Sequence, residues 1–154
     1  MQIKVLFSDV DGTLTDGRLY YSQDGETMKV FHVHDGYGIK HWVSLGNAFG
    51  VISARDSKPL RSRLKELGID TFALKIDNKL AWMENWLAEN NYEWKNLAYI
   101  GDDITDLPLL KKCGFSAAPN DAVNEVRESV HYLCHQRGGN GAVRELIERL
   151  LILQ

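Results

Sequence analysis

Apolar runs at residues 3–8, 48–53, 72–75, 97–101 and 114–118 alternate with stretches of helical spacing near 38–46, 57–68, 79–90, 104–112, 121–128 and 142–152. The helical stretches carry apolar residues three and four apart, as at Leu60, Leu64 and Leu67, at Leu80, Met83 and Leu87, and at Val143, Leu146, Ile147 and Leu150. Short runs that are apolar throughout suit strands buried on both faces. Their alternation with helices predicts an α/β fold, a parallel sheet with helices covering both faces. Such sheets place ligands in the crevice beyond the carboxyl ends of their strands.

The first apolar run, Ile3-Lys4-Val5-Leu6-Phe7, leads into Asp9-Val10-Asp11-Gly12-Thr13. Side chains alternate along an extended chain, so Asp9 and Asp11 can both face that crevice. Two adjacent carboxylates repel unless a cation lies between them. Taken alone, Asp-x-Asp-Gly is also an ordinary turn sequence. Further groups belong at the same edge, however: Ser53 after Phe49-Gly50-Val51-Ile52, Lys79 at a helix start, and Gly101-Asp102-Asp103, then Asp106, after Leu97-Ala98-Tyr99-Ile100. Such an anionic cluster calls for a divalent cation with hard oxygen ligands, and Mg²⁺, which pairs with substrate phosphate, fits best. With a cation present, a carboxylate can approach phosphorus in line, while Lys79 offers a point charge and Ser53 a hydroxyl to the phosphoryl oxygens. These are the parts of a phosphoryl-transfer site.

One segment interrupts the alternation. Arg18-Leu19-Tyr20-Tyr21-Ser22 and Thr27-Met28-Lys29-Val30-Phe31-His32-Val33 flank an Asp24-Gly25 pair, which predicts a β-hairpin over 18–34. Leu19, Tyr20, Tyr21, Met28, Val30 and Phe31 give it more apolar surface than an isolated ribbon exposes, so it should pack on its own domain or on another subunit. His32 and His34, two apart in the second strand of that ribbon, share a face, but a zinc site needs more convergent soft ligands. Arg137-Gly138-Gly139-Asn140-Gly141 reads as a turn into the last helix.

The 154 residues suit one domain, 1–154, able to bury about two thirds of the extended chain's surface. A formal charge of −3, with Lys and Arg dispersed, disfavours nucleic acid as a partner. No apolar run approaches the roughly twenty residues of a membrane span, and Asp9 and Asp11 interrupt any signal-peptide pattern, so a cytoplasmic protein with no membrane partner is expected. Cys113 and Cys134 lack metal-ligand spacing and read as free buried thiols.

Asp-x-Asp-Gly-Thr, a Ser after an apolar strand, a Lys, and Gly-Asp-Asp-x-x-Asp, in that order, resemble the four motifs of the haloacid-dehalogenase-like phosphatases, and the likeness covers nearly the whole chain. It implies a Rossmann-like core, Mg²⁺ and a phospho-aspartyl intermediate. By that resemblance Asp9 is the nucleophile and Asp11 the acid and then the base. The metal is held by Asp9, the Asp11 carbonyl and Asp102, while Asp103 and Asp106 orient metal-bound waters or Lys79. Neither gap between motifs has room for a cap domain, so the hairpin stands in its place. This resembles a capless branch in which tetramers form and hairpins complete neighbouring sites. By that resemblance the expected substrate is a small phosphorylated sugar acid, 3-deoxy-D-manno-octulosonate 8-phosphate, a precursor in lipopolysaccharide synthesis, with a nine-carbon keto-deoxy or sialic acid 9-phosphate as the alternative.

Segments matching that branch are Thr15-Asp16-Gly17, Asp35-Gly36-Tyr37-Gly38-Ile39-Lys40, Ser53-Ala54-Arg55 and the stretch from Arg137 to Glu145. They imply substrate contacts at Asp35, Gly36, Arg137 and Gly138, with the glycine-rich segment approaching a substrate across an interface. Many members carry Arg where His34 and Lys40 stand. Arg55 can pair bidentately with a sugar-acid carboxylate, and its presence favours the eight-carbon acid over nine-carbon relatives. Arg55 also suits a surface position at a helix start. A receiver-type signalling module shares many of these groups, but it accepts phosphate on an Asp at a later strand end, where this chain has Ser53 and Ala54.

Overall fold

A computed structural model describes residues 3–154 and places β1 (Val5–Ser8), buried at every residue, in the middle of a six-stranded sheet. It pairs in parallel with β4 (Ala48–Ile52) on one side and β6 (Leu97–Ile100) on the other. Beyond β4 lies β5 (Phe72–Ala73), and beyond β6 lie β7 (Phe115–Ala118) and β8 (Tyr132–Leu133), all parallel. The chain therefore builds the sheet outward in both directions from β1, and the crevice opens between β1 and β6.

Alternation along the strands supplies both faces. Leu6, Ala98 and Ile100 join Ile39 and Trp42 of α1 (Val33–Ser44), Leu60 and Leu64 of α2 (Lys58–Leu67), and Val143, Leu146 and Leu150 of α6 (Ala142–Leu153). Val5, Phe7, Leu97 and Tyr99 meet Met83 and Leu87 of α3 (Lys79–Glu89), Leu109 and Leu110 of α4 (Leu107–Lys112), and Val126 of α5 (Asn124–Arg127). This explains why the strand sequences are apolar throughout, as a sheet covered on both faces requires. Cys113 and Cys134 are free and buried.

Several local features differ from the expectation. The hairpin is confined to β2 (Tyr20–Ser22) and β3 (Gly25–Met28), and α1 begins at Val33, five residues before the expected start at 38. The cause is a cap: His32 Nδ1 accepts from the His34 amide at 3.1 Å, while Asp35 places its charge in the first turn. Gly36 and Gly38, poor helix formers, hide this start from a propensity reading. His32 and His34 are thus not strand partners; one caps the helix and the other lies in its first turn, with ring centroids 4.7 Å apart. The two-residue strand β8 gave no apolar run long enough to notice. The stretch 104–112 divides into a 3₁₀ turn, Ile104–Asp106, and α4. No helix among the described residues is long and apolar enough to cross a membrane.

Candidate active site

Asp9 follows β1 directly, and its amide still donates to the Ile100 carbonyl at 3.0 Å, which fixes it beside the end of β6. Asp102 lies two residues past that end. Gly12 lets them meet: its φ is +89°, and a Cβ there would stand 1.9 Å from Asp102 Oδ2. Thr15 Oγ1 accepts from the Gly12 and Gly17 amides, both at 3.2 Å, and so shapes the loop. Lys79 is set by the cap of α3, where the Asn78 side chain accepts from the Ala81 amide.

Lys79 Nζ lies 2.8 Å from Asp9 Oδ1, 2.7 Å from Asp106 Oδ1 and 3.3 Å from the Tyr99 hydroxyl. The Tyr99 hydroxyl also donates to Asp106 Oδ1. Asp106 Oδ2 accepts from the Asp102 and Asp103 amides at 3.1 and 3.3 Å. Both oxygens of the wholly buried Asp106 are therefore engaged in orienting Lys79 and the turn. Asp9, Asp102 and Asp106 bring carboxylate oxygens within 4.8 Å of one another, but only Asp9 and Asp102 have capacity left for a ligand. Asp102 Oδ1 is buried without a partner. A divalent cation fits this pair, supplying the partner that the orphaned oxygen lacks.

The electrostatics agree. Burial, then the charge of Asp106, pushes Asp9 up to about 6 against the pull of Lys79. Burial, then the charge of Asp9, pushes Asp102 up to about 9. Burial, with Asp106 alongside, also holds the Tyr99 hydroxyl well above its ordinary range, so it remains a donor. Both acids bind protons more tightly folded than unfolded. Native protein thus carries the more protons between about pH 4 and pH 9, and without a divalent cation its stability should fall as pH rises through that window. A cation would replace the proton. The urea midpoint should then gain more from Mg²⁺ at pH 9 than at pH 6, and equal gains would contradict a cation held by Asp9 and Asp102.

The remaining expected residues divide. Ser53, buried just past β4, accepts from the Arg55 amide at 3.2 Å and retains its own O–H to donate. Asp103 caps the 3₁₀ turn through the Ile104 amide at 2.7 Å and lies outside the carboxylate cluster. Asp35 and Gly36, where substrate contacts are expected, pack into the fold: Asp35 is 2% exposed and accepts from the Arg144 amide at 2.9 Å near the start of α6, while Gly36 packs under Arg63. Gly138 donates its amide to Asp121 and approaches its own chain's first loop so closely that a Cβ would sit 1.9 Å from the Gly12 carbonyl oxygen. Arg137 projects outward beside Asp121 at 3.5 Å.

Two residues at the mouth were not anticipated. Lys29 Nζ lies 2.6 Å from Asp11 Oδ1 and 2.8 Å from Glu26 Oε1. Glu26 also holds Arg55, whose guanidinium donates to the Tyr21 hydroxyl at 3.3 Å and lies 3.9 Å from Asp11 Oδ2. The available signal was a Glu and a Lys, three apart, on a ribbon otherwise rich in apolar residues. Tyr99 was hidden differently, as one more large residue in a core strand whose hydroxyl alone reaches Lys79 and Asp106.

Residues 72–146 match the family of haloacid dehalogenase-like hydrolases. The chain is 41% identical over 153 residues to the 3-deoxy-D-manno-octulosonate 8-phosphate phosphatase of Haemophilus influenzae, covering 99% of this chain and 84% of that protein. A cobalt-bound structure of the deoxy-D-mannose-octulosonate 8-phosphate phosphatase from that organism superposes with a TM-score of 0.96 at 40% identity, over 99% of this chain and 90% of that one. The Moraxella catarrhalis phosphatase, solved with magnesium, phosphate and KDO, gives a TM-score of 0.95 at 36% identity, over 99% and 87% of the two chains.

Proposed function

The chain belongs to the haloacid dehalogenase-like hydrolases and is a phosphatase, and on that premise we propose that it hydrolyses 3-deoxy-D-manno-octulosonate 8-phosphate through a phospho-aspartyl intermediate, with Mg²⁺. The observation that carries this reading is the pairing of Asp9 and Asp102 around an orphaned carboxylate oxygen, with Lys79 on Oδ1 of Asp9. Bound Mg²⁺ would be held by Asp9, the Asp11 carbonyl and Asp102, and would offset the charge of the incoming phosphate.

The residues of the chain then divide the work. Asp9 forms a bond to phosphorus as the ester P–O bond breaks, and the leaving sugar oxygen takes a proton from Asp11. A water next loses its proton to Asp11 and attacks phosphorus, breaking the bond to Asp9 and releasing phosphate. Lys79 and Ser53 hold the phosphoryl oxygens. Arg55, at the mouth, pairs with the sugar-acid carboxylate.

The hairpin supports the oligomeric part of the proposal. Leu19, Tyr21, Met28 and Val30 leave large apolar side chains exposed, Tyr21 at 63%, which suits a homotetramer with hairpins at the subunit contacts.

Phosphate release tests the function, measured on 3-deoxy-D-manno-octulosonate 8-phosphate, a nine-carbon keto-deoxy sugar acid 9-phosphate and glucose 6-phosphate, each with Mg²⁺ and with chelator. The eight-carbon acid should give the highest kcat/KM, glucose 6-phosphate should be slower by about tenfold or more for want of the carboxylate, and chelator should abolish turnover. Equal rates on the three esters would remove the substrate assignment. Light scattering on the same preparation should give the mass of four chains; a fully active monomer would exclude the hairpin contact.

A further inference from the structure

We propose that Lys29 is a positioning residue that fixes the Asp11 carboxylate for its two proton transfers, a role that rests on the phosphatase reading above. Lys29 follows β3 directly, and only 3% of its side chain is exposed. A lysine ammonium normally stays in water, and one withdrawn from it needs close anionic partners. Lys29 has two, Asp11 Oδ1 at 2.6 Å and Glu26 Oε1 at 2.8 Å. The Glu26 side chain is itself only 7% exposed, and its second oxygen is taken by Arg55. This is not the solvated pair of an exposed ribbon.

The arrangement distinguishes the two oxygens of Asp11. Oδ1 is held by the ammonium. Among the described residues Oδ2 has only the Arg55 Nε at 3.9 Å, beyond hydrogen-bond reach, and the Asp11 side chain keeps 22% of its surface accessible. A carboxylate free to rotate would present either oxygen; one tied at Oδ1 presents Oδ2. In the first step the sugar–phosphate P–O bond breaks and the departing oxygen takes the proton from Asp11 Oδ2. In the second, water gives its proton back to that oxygen as it attacks phosphorus. Lys29 acts through geometry. The same contacts tie the hairpin to the first loop, so the ribbon over the mouth and the acid–base group are held as one unit.

The test compares kcat/KM for two esters, because this ratio reports the steps up to departure of the leaving group. A sugar phosphate leaves as an alkoxide that needs a proton; 4-nitrophenyl phosphate leaves as a phenolate that does not. Lys29→Met should lower kcat/KM on 3-deoxy-D-manno-octulosonate 8-phosphate by at least about tenfold while changing 4-nitrophenyl phosphate by less than about threefold. Lys29→Arg should recover part of the loss. Glu26→Gln, which keeps the cation and loosens its hold, should show the same selectivity to a smaller degree, and it carries the test should Lys29→Met not fold. An equal fall on both esters, or no fall on either, would overturn the positioning role while leaving the phosphatase reading intact. A wild type inert toward both esters would overturn that reading, and this role with it.

Discussion

Asp9→Asn should abolish phosphate release, by about a thousandfold or more in kcat, while making the metal-free protein more stable above about pH 9. The amide removes the nucleophilic anion and keeps the shape. Its carbonyl oxygen can still accept from Lys79, whose Nζ is 2.8 Å from Asp9 Oδ1. Its NH₂ group can face Asp102, whose carboxyl is pushed up to about 9 first by burial and next by the charge of Asp9. Above about pH 9, where both carboxyls are ionised, replacing that repulsion by a hydrogen bond should raise stability by about 1 kcal/mol, the usual sense of change when a strained functional group is neutralised. Urea unfolding without divalent cation and a phosphate-release assay read the two effects separately. Retained turnover would place the nucleophile elsewhere. Loss of both stability and turnover would make Asp9 a structural residue whose charge the fold requires.

That opposition between stability and activity also bears on what the chain shows before folding. The strand runs, the helical stripes of α2, α3 and α6, and the order of Asp9, Ser53, Lys79 and Asp102 are legible because each follows from local spacing. A buried strand is apolar throughout, and its end is marked by the first polar residue. Asp106 could be placed at the sheet edge, but not its task, since four groups distributed between α3, β6 and the turn after β6 converge on its two oxygens. Lys29 and Glu26 were less legible still. On a ribbon, a Lys beside alternating polar residues reads as solvated, and only the fold of the hairpin back over the first loop buries it. Asp35 illustrates the converse: its carboxylate accepts from an amide near the start of α6, 109 residues away in sequence. Sequence order reveals which groups reach the carboxyl edge of a sheet; it does not reveal which of them face inward to hold the others.

Lys79→Met should be the more damaging substitution for the fold. Lys79 is 5% exposed and is the cation shared by Asp9 and the wholly buried Asp106. Breaking a buried pair by removing one partner typically costs about 3–5 kcal/mol, because the remaining charge has lost its compensation and cannot reach water. Two backbone amides and the Tyr99 hydroxyl would still serve Asp106, which places the expected loss at the lower end of that range. The pH dependence follows from Asp9. Its carboxyl already stands at about 6, and Lys79 is the largest influence holding it down, so the substitution should raise it further. The folded variant then binds a proton more tightly than wild type, and its stability deficit should shrink as pH falls toward 5 and widen toward 8.5. Urea midpoints of both proteins at the two pH values measure this directly. Turnover should fall by about a hundredfold or more even where the variant is folded, since the same ammonium is the fixed positive charge for the phosphoryl oxygens. A deficit that grows on acidification would show that Lys79 is not what keeps Asp9 ionised.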